Sequence, residues 1–539
     1  MASNDRNAIT LIETDEVKHP TATYVYTESQ KQSRNGAQTG RIDHIPPTAS
    51  PSSWPRANLM SILGDVFLPA GYPHSVTDDY LPYQIFVSPS SPRNCACNNN
   101  PGLLPSLQQL HCRTPSFQSR PARSPSCLIS PVSQPSILKA TGVGVGNPTA
   151  TPTAALLLHT LQDTTSRLAT ILFAYRIGTA LEPECKRYRF AADVFNDLGM
   201  VLNCLSPMVP AGVVRVGVLS AAGVLTALCG VAGGSSKATL SAHFVRGGRG
   251  SLGDVNAKDS SQETVISLIG MLTGSLIITH ITTPLTTWLF LLTLLTLHLS
   301  LNYLAVCSVQ MTTLNRQRAN ILFSTLLGSD PALLFLTLGG EMGPPLQSQT
   351  DIHEEKKKWR VLTPAQVASK ELIFERDGVI KWYSSHSSAS NQIITLGHAN
   401  IGISVQRFFS TVEPNLLPDL TSIFTNEAYI LYLTSITTIG TTTKVKWTAN
   451  TLLKQSSTPH SQLKAWMHGL LAARVLSSSF PVVDKDSGEN GVLRVLDQTL
   501  TFLNHGRRFG EYMSAMEECG WELDVASLET RPGRRVSVA

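Results

Sequence analysis

The sequence is short of charge. Asp, Glu, Lys and Arg make up 15% of its 539 residues, against roughly 25% in ordinary soluble domains. That deficit argues against a wholly soluble enzyme and against a coiled coil. The formal net charge of +5 is small for this length, so the chain lacks the broad basic field of a nucleic-acid binder. Nine cysteines are too few for a disulfide scaffold. No basic stretch followed by an apolar run opens the chain, and Asp5, Glu13, Asp15 and Glu16 are acids that a mitochondrial transit peptide avoids. Neither kind of address signal is expected. What the chain does have is apolar bulk: 42% hydrophobic residues and a mean hydropathy of +0.03, with length enough for two to four domains.

Charge is unevenly spread. Residues 190–315 hold ten charged residues in 126, whereas residues 351–539 hold 39 in 189. Between Glu263 and Arg316, 52 consecutive positions carry no charge. A helix needs about 20 apolar residues to cross the hydrocarbon core, so this run predicts two crossings with a turn near Pro284 and Trp288 at the interface. A buried core hairpin is the alternative, disfavoured by length. A second hairpin is expected over 194–234, with SPMVPAG as its turn and Gly and Ala suited to close packing in lipid. Asp193, Asn196 and Asp197 weaken its first limb. Basic groups at Arg176, Lys186, Arg187 and Arg189, at Lys237, Arg246, Arg249 and Lys258, and at Arg316 and Arg318 then fall on one side, as the positive-inside rule asks. Both termini would be cytosolic. The segment 154–175 carries Asp163 and Arg167 and reads as amphipathic.

The fold expected is therefore mainly α: a helical integral-membrane domain of about four membrane helices in two hairpins, followed by a smaller α+β soluble domain. Residues 1–58 read as a disordered tail, 59–320 as the helical domain, 88–139 as a disordered insert, 321–358 as a linker, 359–530 as the α+β domain and 531–539 as a tail. In the α+β domain, Thr363 before Pro364 with Gln366 three residues on predicts a capped helix start. VIKWY and AYILYL read as strands, and 460–476 and 492–519 as amphipathic helices. Leu493, Leu496, Leu500 and Leu503 share one face, and Cys519–Gly520 ends the last helix.

Motifs for chemistry are few. GVAGGSSKAT at 230–239 has Ser236 where a phosphate loop needs its second glycine, and GVGVGN at 142–147 is too short for a dinucleotide fingerprint. Residues 88–135 hold nine prolines and ten serines. Cys95, Cys97, Cys112 and Cys127 fall in that stretch without the paired spacing of a zinc site, so no metal is expected. His280 and His298 lie in the charge-free run and read as packing histidines. The densest polar cluster is DVNAKDSSQET at 254–264, read as a loop whose Ser260 or Ser261 caps the next helix. Asp254, Lys258, Asp259, Gln262 and Glu263, with Arg215, are the candidate ligand contacts. Lys258 is also a candidate for a Schiff base with an aldehyde.

These segments carry a resemblance. FLPAGYPHSVTDDYLPYQIF at 67–86, GVGVGNPTATPTAALLLHTLQD at 142–163, FAADVFNDLGM at 190–200, GVAGGSSKATLSAHF and DVNAKDSSQET together resemble the root UVB sensitive (RUS) family, in a divergent form that has a fungal look. The family-motif positions are Pro73, His74, Ser75, Val76, Tyr80, Asn147, Thr151, Pro152, Asp197, Lys258, Asp259, Gln262 and Glu263. The resemblance implies a membrane-associated, mostly helical protein without known catalytic residues, linked to vitamin B6 homeostasis and to UV-B responses. An enzyme ranks last among the functions weighed, because nothing above a lone polar cluster supports one and fold and family do not supply a reaction. The first function expected from the resemblance is support of vitamin B6 homeostasis by binding or moving a B6 vitamer, with pyridoxal phosphate as a ligand to test, Lys258 and Arg215 as its candidate contacts, and a family paralogue or a second copy as partner. The Pro/Ser/Cys-rich segment replaces a short helical stretch of the family. Retained intron sequence or a lineage-specific insertion would each account for it. The competing function is a membrane adaptor that recruits a protein partner through its C-terminal domain.

Overall fold

The structure is a computed structural model. It describes residues 8–14, 20–28, 40–45, 67–69, 72–90, 152–210, 213–245, 250–278, 280, 283–333, 359–383, 393–438, 444–479, 488–525, 527–531 and 534–537. The helices are α1 (Tyr80–Ser90), α2 (Pro152–Ile177), α3 (Cys185–Leu205), α4 (Val213–Phe244), α5 (Leu252–Ile278), α6 (Pro284–Ser308), α7 (Arg316–Ser329), α8 (Pro364–Ala368), α9 (Val405–Phe409), α10 (Leu417–Ile423), α11 (Pro459–Ser479), α12 (Gly488–Asn504) and α13 (Arg508–Glu518). The strands are β1 (Ala8–Thr14), β2 (Pro20–Glu28), β3 (Gly40–Ile45), β4 (Val379–Tyr383), β5 (Ile393–Ile401), β6 (Tyr429–Thr438), β7 (Lys444–Lys454) and β8 (Arg535–Val536). The protein is mainly helical, with a smaller sheet region. It divides into two compact units, Met1–Thr141 with Lys237–Leu301, and Gly142–Ser236 with Asn302–Ala539.

In the first unit, β1, β2 and β3 form an antiparallel sheet in that order. The stretch 1–58, expected as a tail without regular structure, thus contains three strands. The run TATYVYTE is rich in Thr, Tyr and Val, which suit a pleated strand. The helical part of this unit comprises α1, the last turns of α4, α5, and α6 as far as Leu301.

Of the four expected membrane helices, α4 and α6 are long and apolar enough to cross a membrane. The other two limbs are helical and break where the turns were placed, but they are not among the helices long and apolar enough to cross. α3 holds Lys186, Arg187, Arg189, Asp193 and Asp197. α5 begins at Leu252, so Asp254, Lys258, Asp259 and Glu263 lie on its first three turns. The cluster read as a loop is therefore helix. Its start is set by Ser251, whose Oγ accepts from the Asp254 N–H at 3.4 Å, not by Ser260 or Ser261, whose hydroxyls bond back to Asn256 O and Lys258 O. Asp254 in the first turn suits the positive end of the helix. Thr283 caps α6 ahead of Pro284 through the Thr286 N–H at 3.2 Å. α2 runs through 154–175 as one helix, with Arg167 and Asp163 paired on its surface at 2.9 Å.

The second unit packs helices on a mixed sheet of order β4-β5-β7-β6, with β8 added beside β7. β5 and β7 are parallel and β4–β5 and β6–β7 antiparallel. The start of the expected linker, 321–333, is instead part of the core. Gln317 to Leu327 are all buried in α7. A helix apolar on most sides is a core helix, and its polar members are satisfied internally. Asn320 donates to Val379 O at 2.7 Å and accepts from Trp466 Nε1 at 3.0 Å. The capping box at Thr363, Pro364 and Gln366 forms as expected. The expected helix 492–519 is two helices, because Gly506 and Arg507 take φ near +60°. Leu493, Leu496, Leu500 and Leu503 all enter the core. Gly520 at φ 91° ends α13, with Trp521 N–H reaching back to Met516 O at 3.2 Å, the Schellman pattern.

Candidate functional site

In the first unit, three segments converge on one polar cluster. The first is 72–90, whose Val76 bridges Val245 and whose Thr77 N–H donates to Phe244 O at 2.9 Å. Tyr80 and Tyr83 pack on the Phe244 ring at 5.6 and 5.1 Å between centroids. The second is the end of α4. The third is the start of α5, reached through Gly250. A Cβ at Gly250 would sit 2.4 Å from Ser75 O, so only glycine permits this approach.

The centre of the cluster is Lys237 on α4. Its Nζ lies 2.7 Å from Asp259 Oδ2 and 2.5 Å from Glu263 Oε1. Asp259 and Glu263 are four residues apart, so they share one face of α5. Like charges there repel, and the ammonium between them offsets the repulsion. Gln84 on α1 donates to Asp259 Oδ1 at 3.0 Å. Gln262 donates to Phe67 O at 2.6 Å. Beyond this group, His243 Nε2 and Asp79 Oδ2 are 3.0 Å apart, with both side chains buried. Lys237 with its two carboxylates carries a net charge of −1. Its side chain is 39% exposed while that of Asp259 is 9% exposed, so the cluster opens at the lysine. Ser75 Oγ, Thr77 Oγ1 and Gln84 Oε1 are buried without a hydrogen-bond partner among the described residues. Each such group costs about 1–3 kcal/mol if left so.

Of the candidate ligand contacts, the structure brings Asp259, Gln262 and Glu263 into this cluster. Lys258 is half-buried one residue before Asp259, about 100° round the helix. Asp254 lies at the helix start. Arg215 belongs to the second unit, where its Nε and Nη2 donate to Val209 O at 2.9 and 2.5 Å and close the break before α4. Among the motif positions, Pro73 follows a cis peptide bond from Tyr72, and Pro73 and His74 are exposed. Pro152 begins α2. Asp197 is buried on α3, accepting from Asn196 Nδ2 at 3.3 Å. Asn147 and Thr151 lie outside the described residues, as do Cys95, Cys97, Cys112, Cys127 and most of 88–139. His298 is buried and His280 exposed.

The residues missed in the sequence are Lys237, Asp79, Gln84 and His243. Lys237 was counted as a loop charge and as part of a failed phosphate loop. That segment is helix, with Ser236 Oγ bonded to Ala232 O at 2.7 Å. A signal was nonetheless present: the blocks 67–86, 230–244 and 254–264 that carry the resemblance are the segments that meet here.

The second unit holds a contrasting triad. Glu371 accepts from Lys186 Nζ at 2.6 Å and from Arg318 Nε at 2.9 Å. All three side chains are at most 5% exposed. Burial pushes the Glu371 carboxyl up, but the Arg318 and Lys186 charges prevail and hold it down at about 2. Arg318 also donates to Thr313 O and Pro183 O. Two of the basic groups assigned to membrane-side loops are thus buried in a closed ion network, which reads as structural.

A helical protein with two membrane-length apolar helices and a half-open, net-acidic cluster is the class these features define. The family described as the vitamin B6 photo-protection and homoeostasis domain matches residues 53–98 and 122–330, passing over a gap narrower than the 88–139 insert. RUS family member 1 of Dictyostelium discoideum is 35% identical over 283 residues, 51% of this chain and 46% of that protein. Protein root UVB sensitive 3 of Arabidopsis thaliana is 26% identical over 442 residues, 82% of this chain and 81% of that protein. Protein root UVB sensitive 5 of Arabidopsis thaliana is 26% identical over 275 residues, 49% and 46% of the two chains. The chain belongs to the root UVB sensitive family. The match spans about half the length of two of these relatives and about four fifths of the third. No solved structure matches.

Proposed function

We propose that this chain is a membrane-embedded protein that binds an unphosphorylated B6 vitamer at the Lys237–Asp259–Glu263 cluster and moves it through or along the bilayer. The family's description supplies the vitamin. Membrane embedding is supported by where the apolar residues point. In the most apolar windows of α4 and α6, 28% and 33% of residues are buried inside the protein, whereas the core helix of a soluble protein buries most of its own. Leu268, Ile269, Leu272 and Leu276 on α5 and Leu285, Leu289 and Leu292 on α6 are likewise exposed. Such surfaces are stable against lipid and costly against water.

The observation that carries the ligand class is the charge of the cluster. Two carboxylates against one ammonium attract a protonated pyridine or amine nitrogen and repel a phosphate dianion. The cluster therefore suits pyridoxine or pyridoxamine better than pyridoxal phosphate. Gln84 Oε1, beside Asp259, is an acceptor for a ring hydroxyl. The role is binding and carriage rather than catalysis. The adaptor alternative is not favoured, because the leucine face of α12 offered to a partner is spent in the core of its own unit.

The test is uptake of pyridoxine by vesicles reconstituted with the full chain. Wild type should load vesicles above protein-free controls, and Asp259→Asn should cut the rate at least tenfold. Equal uptake with and without protein would overturn the carriage reading.

A further inference from the structure

The second unit contains a basic cleft of about 320 Å³ on the outer side of its sheet. It lies within the size range of small-ligand sites, about 300–1,000 Å³. Lys381 of β4, Lys446 of β7, and Arg376 from the loop before β4 line it, together with Glu375 and His398. Glu375 pairs with Lys381. Among the described residues no carboxylate pairs with Arg376 or Lys446. The adjoining stretches 384–392 and 439–443 contain no Asp or Glu. Asp377 is turned to Arg316, at 2.7 Å, and to the Thr530 hydroxyl, at 3.1 Å. Three cations therefore face one carboxylate, a surplus of two positive charges.

The backbone holds this cleft open. The β4–β5 register shifts between Ile380 and Lys381, so that Lys381 pairs with Thr395 while Leu396 goes to the core. A bulge re-aims side chains in this way. Gly397, at φ 151°, forms part of the floor. Any Cβ there would lie 1.8 Å from Trp447 O, so no side chain can fill the space. At the rim Leu372 and Phe374 are 54% and 56% exposed. The Phe374 ring lies 5.5 Å from Phe190, which in turn lies 5.7 Å from Tyr303 on the last turns of α6. The cleft thus sits near the end of one of the membrane-length helices, with cations inside and exposed apolar side chains at its mouth.

We infer that this cleft binds a phosphate group attached to an apolar body, through Arg376, Lys381 and Lys446. A planar guanidinium and two ammonium groups match phosphate oxygens, and the Phe374–Leu372 rim suits an aromatic or acyl portion. The source is a phospholipid headgroup or a soluble phosphate monoester. Burial, then the charges of Arg376 and Lys446, push the His398 imidazole below its usual range, against a hydrogen bond with Gly378 and the charge of Asp377. A bound anion offsets those two cations, so His398 reports occupancy by titrating at higher pH. This site is independent of the Lys237 cluster.

The experiment uses the full chain in phosphatidylcholine nanodiscs, with the His398 ring resonance assigned through His398→Asn. Inorganic phosphate, phenyl phosphate and nanodiscs doped with phosphatidylglycerol are the three probes. A saturable upward shift of the His398 titration is expected with at least one. A response to phosphatidylglycerol alone names a lipid headgroup, and a response to phenyl phosphate names a soluble monoester. Arg376→Gln/Lys446→Gln should weaken binding at least tenfold and abolish the shift. Both side chains are exposed, so the melting temperature should hold. An unmoved His398 with all three probes, or equal affinity in the double variant, would overturn the inference.

Discussion

Replacing Lys237 with methionine tests whether the cluster is held by charge. The substitution keeps an unbranched side chain, one atom shorter, and removes the ammonium 2.7 Å from Asp259 and 2.5 Å from Glu263. It leaves two carboxylates on one helix face, 9% and 15% exposed, with Gln84 still donating to Asp259. Breaking a fully buried pair costs about 3–5 kcal/mol, and a surface pair about 0–1 kcal/mol. Lys237 is open to solvent while its partners are not, so the expected loss is about 2–4 kcal/mol. The triple variant Lys237→Met/Asp259→Asn/Glu263→Gln leaves no uncompensated charge and should recover most of that loss. Its vitamer uptake should stay lost. Equilibrium unfolding of the full chain in mixed micelles measures both. A Lys237→Met protein within about 0.5 kcal/mol of wild type, or a triple variant as unstable as the single one, would refute the reasoning.

Acid should destabilise the second unit in two stages. Burial pushes the imidazole of His468 from 6.5 down to about 3, where it is bonded to the Tyr429 hydroxyl and Thr499 Oγ1. Below pH 6.5 the unfolded chain takes a proton at His468 that the folded chain refuses, so the contribution of this group falls by about 1.4 kcal/mol per pH unit, while the Glu184 carboxyl, raised by burial to about 7, takes up a proton in the folded state and offsets part of that fall. Glu371, held at about 2 against 4.5, adds stability that is complete above pH 4.5 and lost as pH falls toward 2. Unfolding at pH 7, 5.5 and 4.5 should show the first stage, and His468→Gln should flatten it; an unchanged slope in the variant would sink the assignment. Gly397→Ala should cost about 3 kcal/mol or more, because its Cβ meets Trp447 O at 1.8 Å. Gly510→Ala, with nothing within 4 Å, should be neutral or slightly stabilising on a helix. Melting temperatures of the pair check this contrast.

Much of the local structure was legible because its causes are local. Thr363, Pro364 and Gln366 form a capping box from three adjacent side chains, and Gly520 stops α13 through its own backbone. Pro284 marks the break before α6 for the same reason. The limits of α5 and α7 were not legible. DVNAKDSSQET looks like a solvated loop until Lys237, 22 positions before Asp259, supplies its counter-charge. Arg316 and Arg318 look like the end of a membrane segment until Asp377 and Glu371, more than 50 positions on, pair with them. A count of charges along the chain cannot separate a lysine in a loop from one in an ion network. The candidate site was half legible: Asp259, Gln262 and Glu263 came from their own density, whereas Asp79, Gln84 and His243 are isolated in sequence.

The proposed function rests on how the two ion triads differ. Each sets one charge against two of opposite sign. In Lys186–Glu371–Arg318 the surplus is positive, every side chain is at most 5% exposed, and backbone oxygens of Thr313 and Pro183 take the remaining Arg318 donors. Nothing there is left to offer a ligand, and the network joins α3, α7 and the loop after α8 within one unit. In Lys237–Asp259–Glu263 the surplus is negative, the lysine is 39% exposed, and Gln84 Oε1 beside it has no partner among the described residues. A fully satisfied network rigidifies, while an incompletely satisfied one retains capacity for a further donor. The difference lies in closure and not in residue type, which is why Lys237, rather than the more conspicuous Lys258 or Arg318, is the residue on which the functional proposal rests.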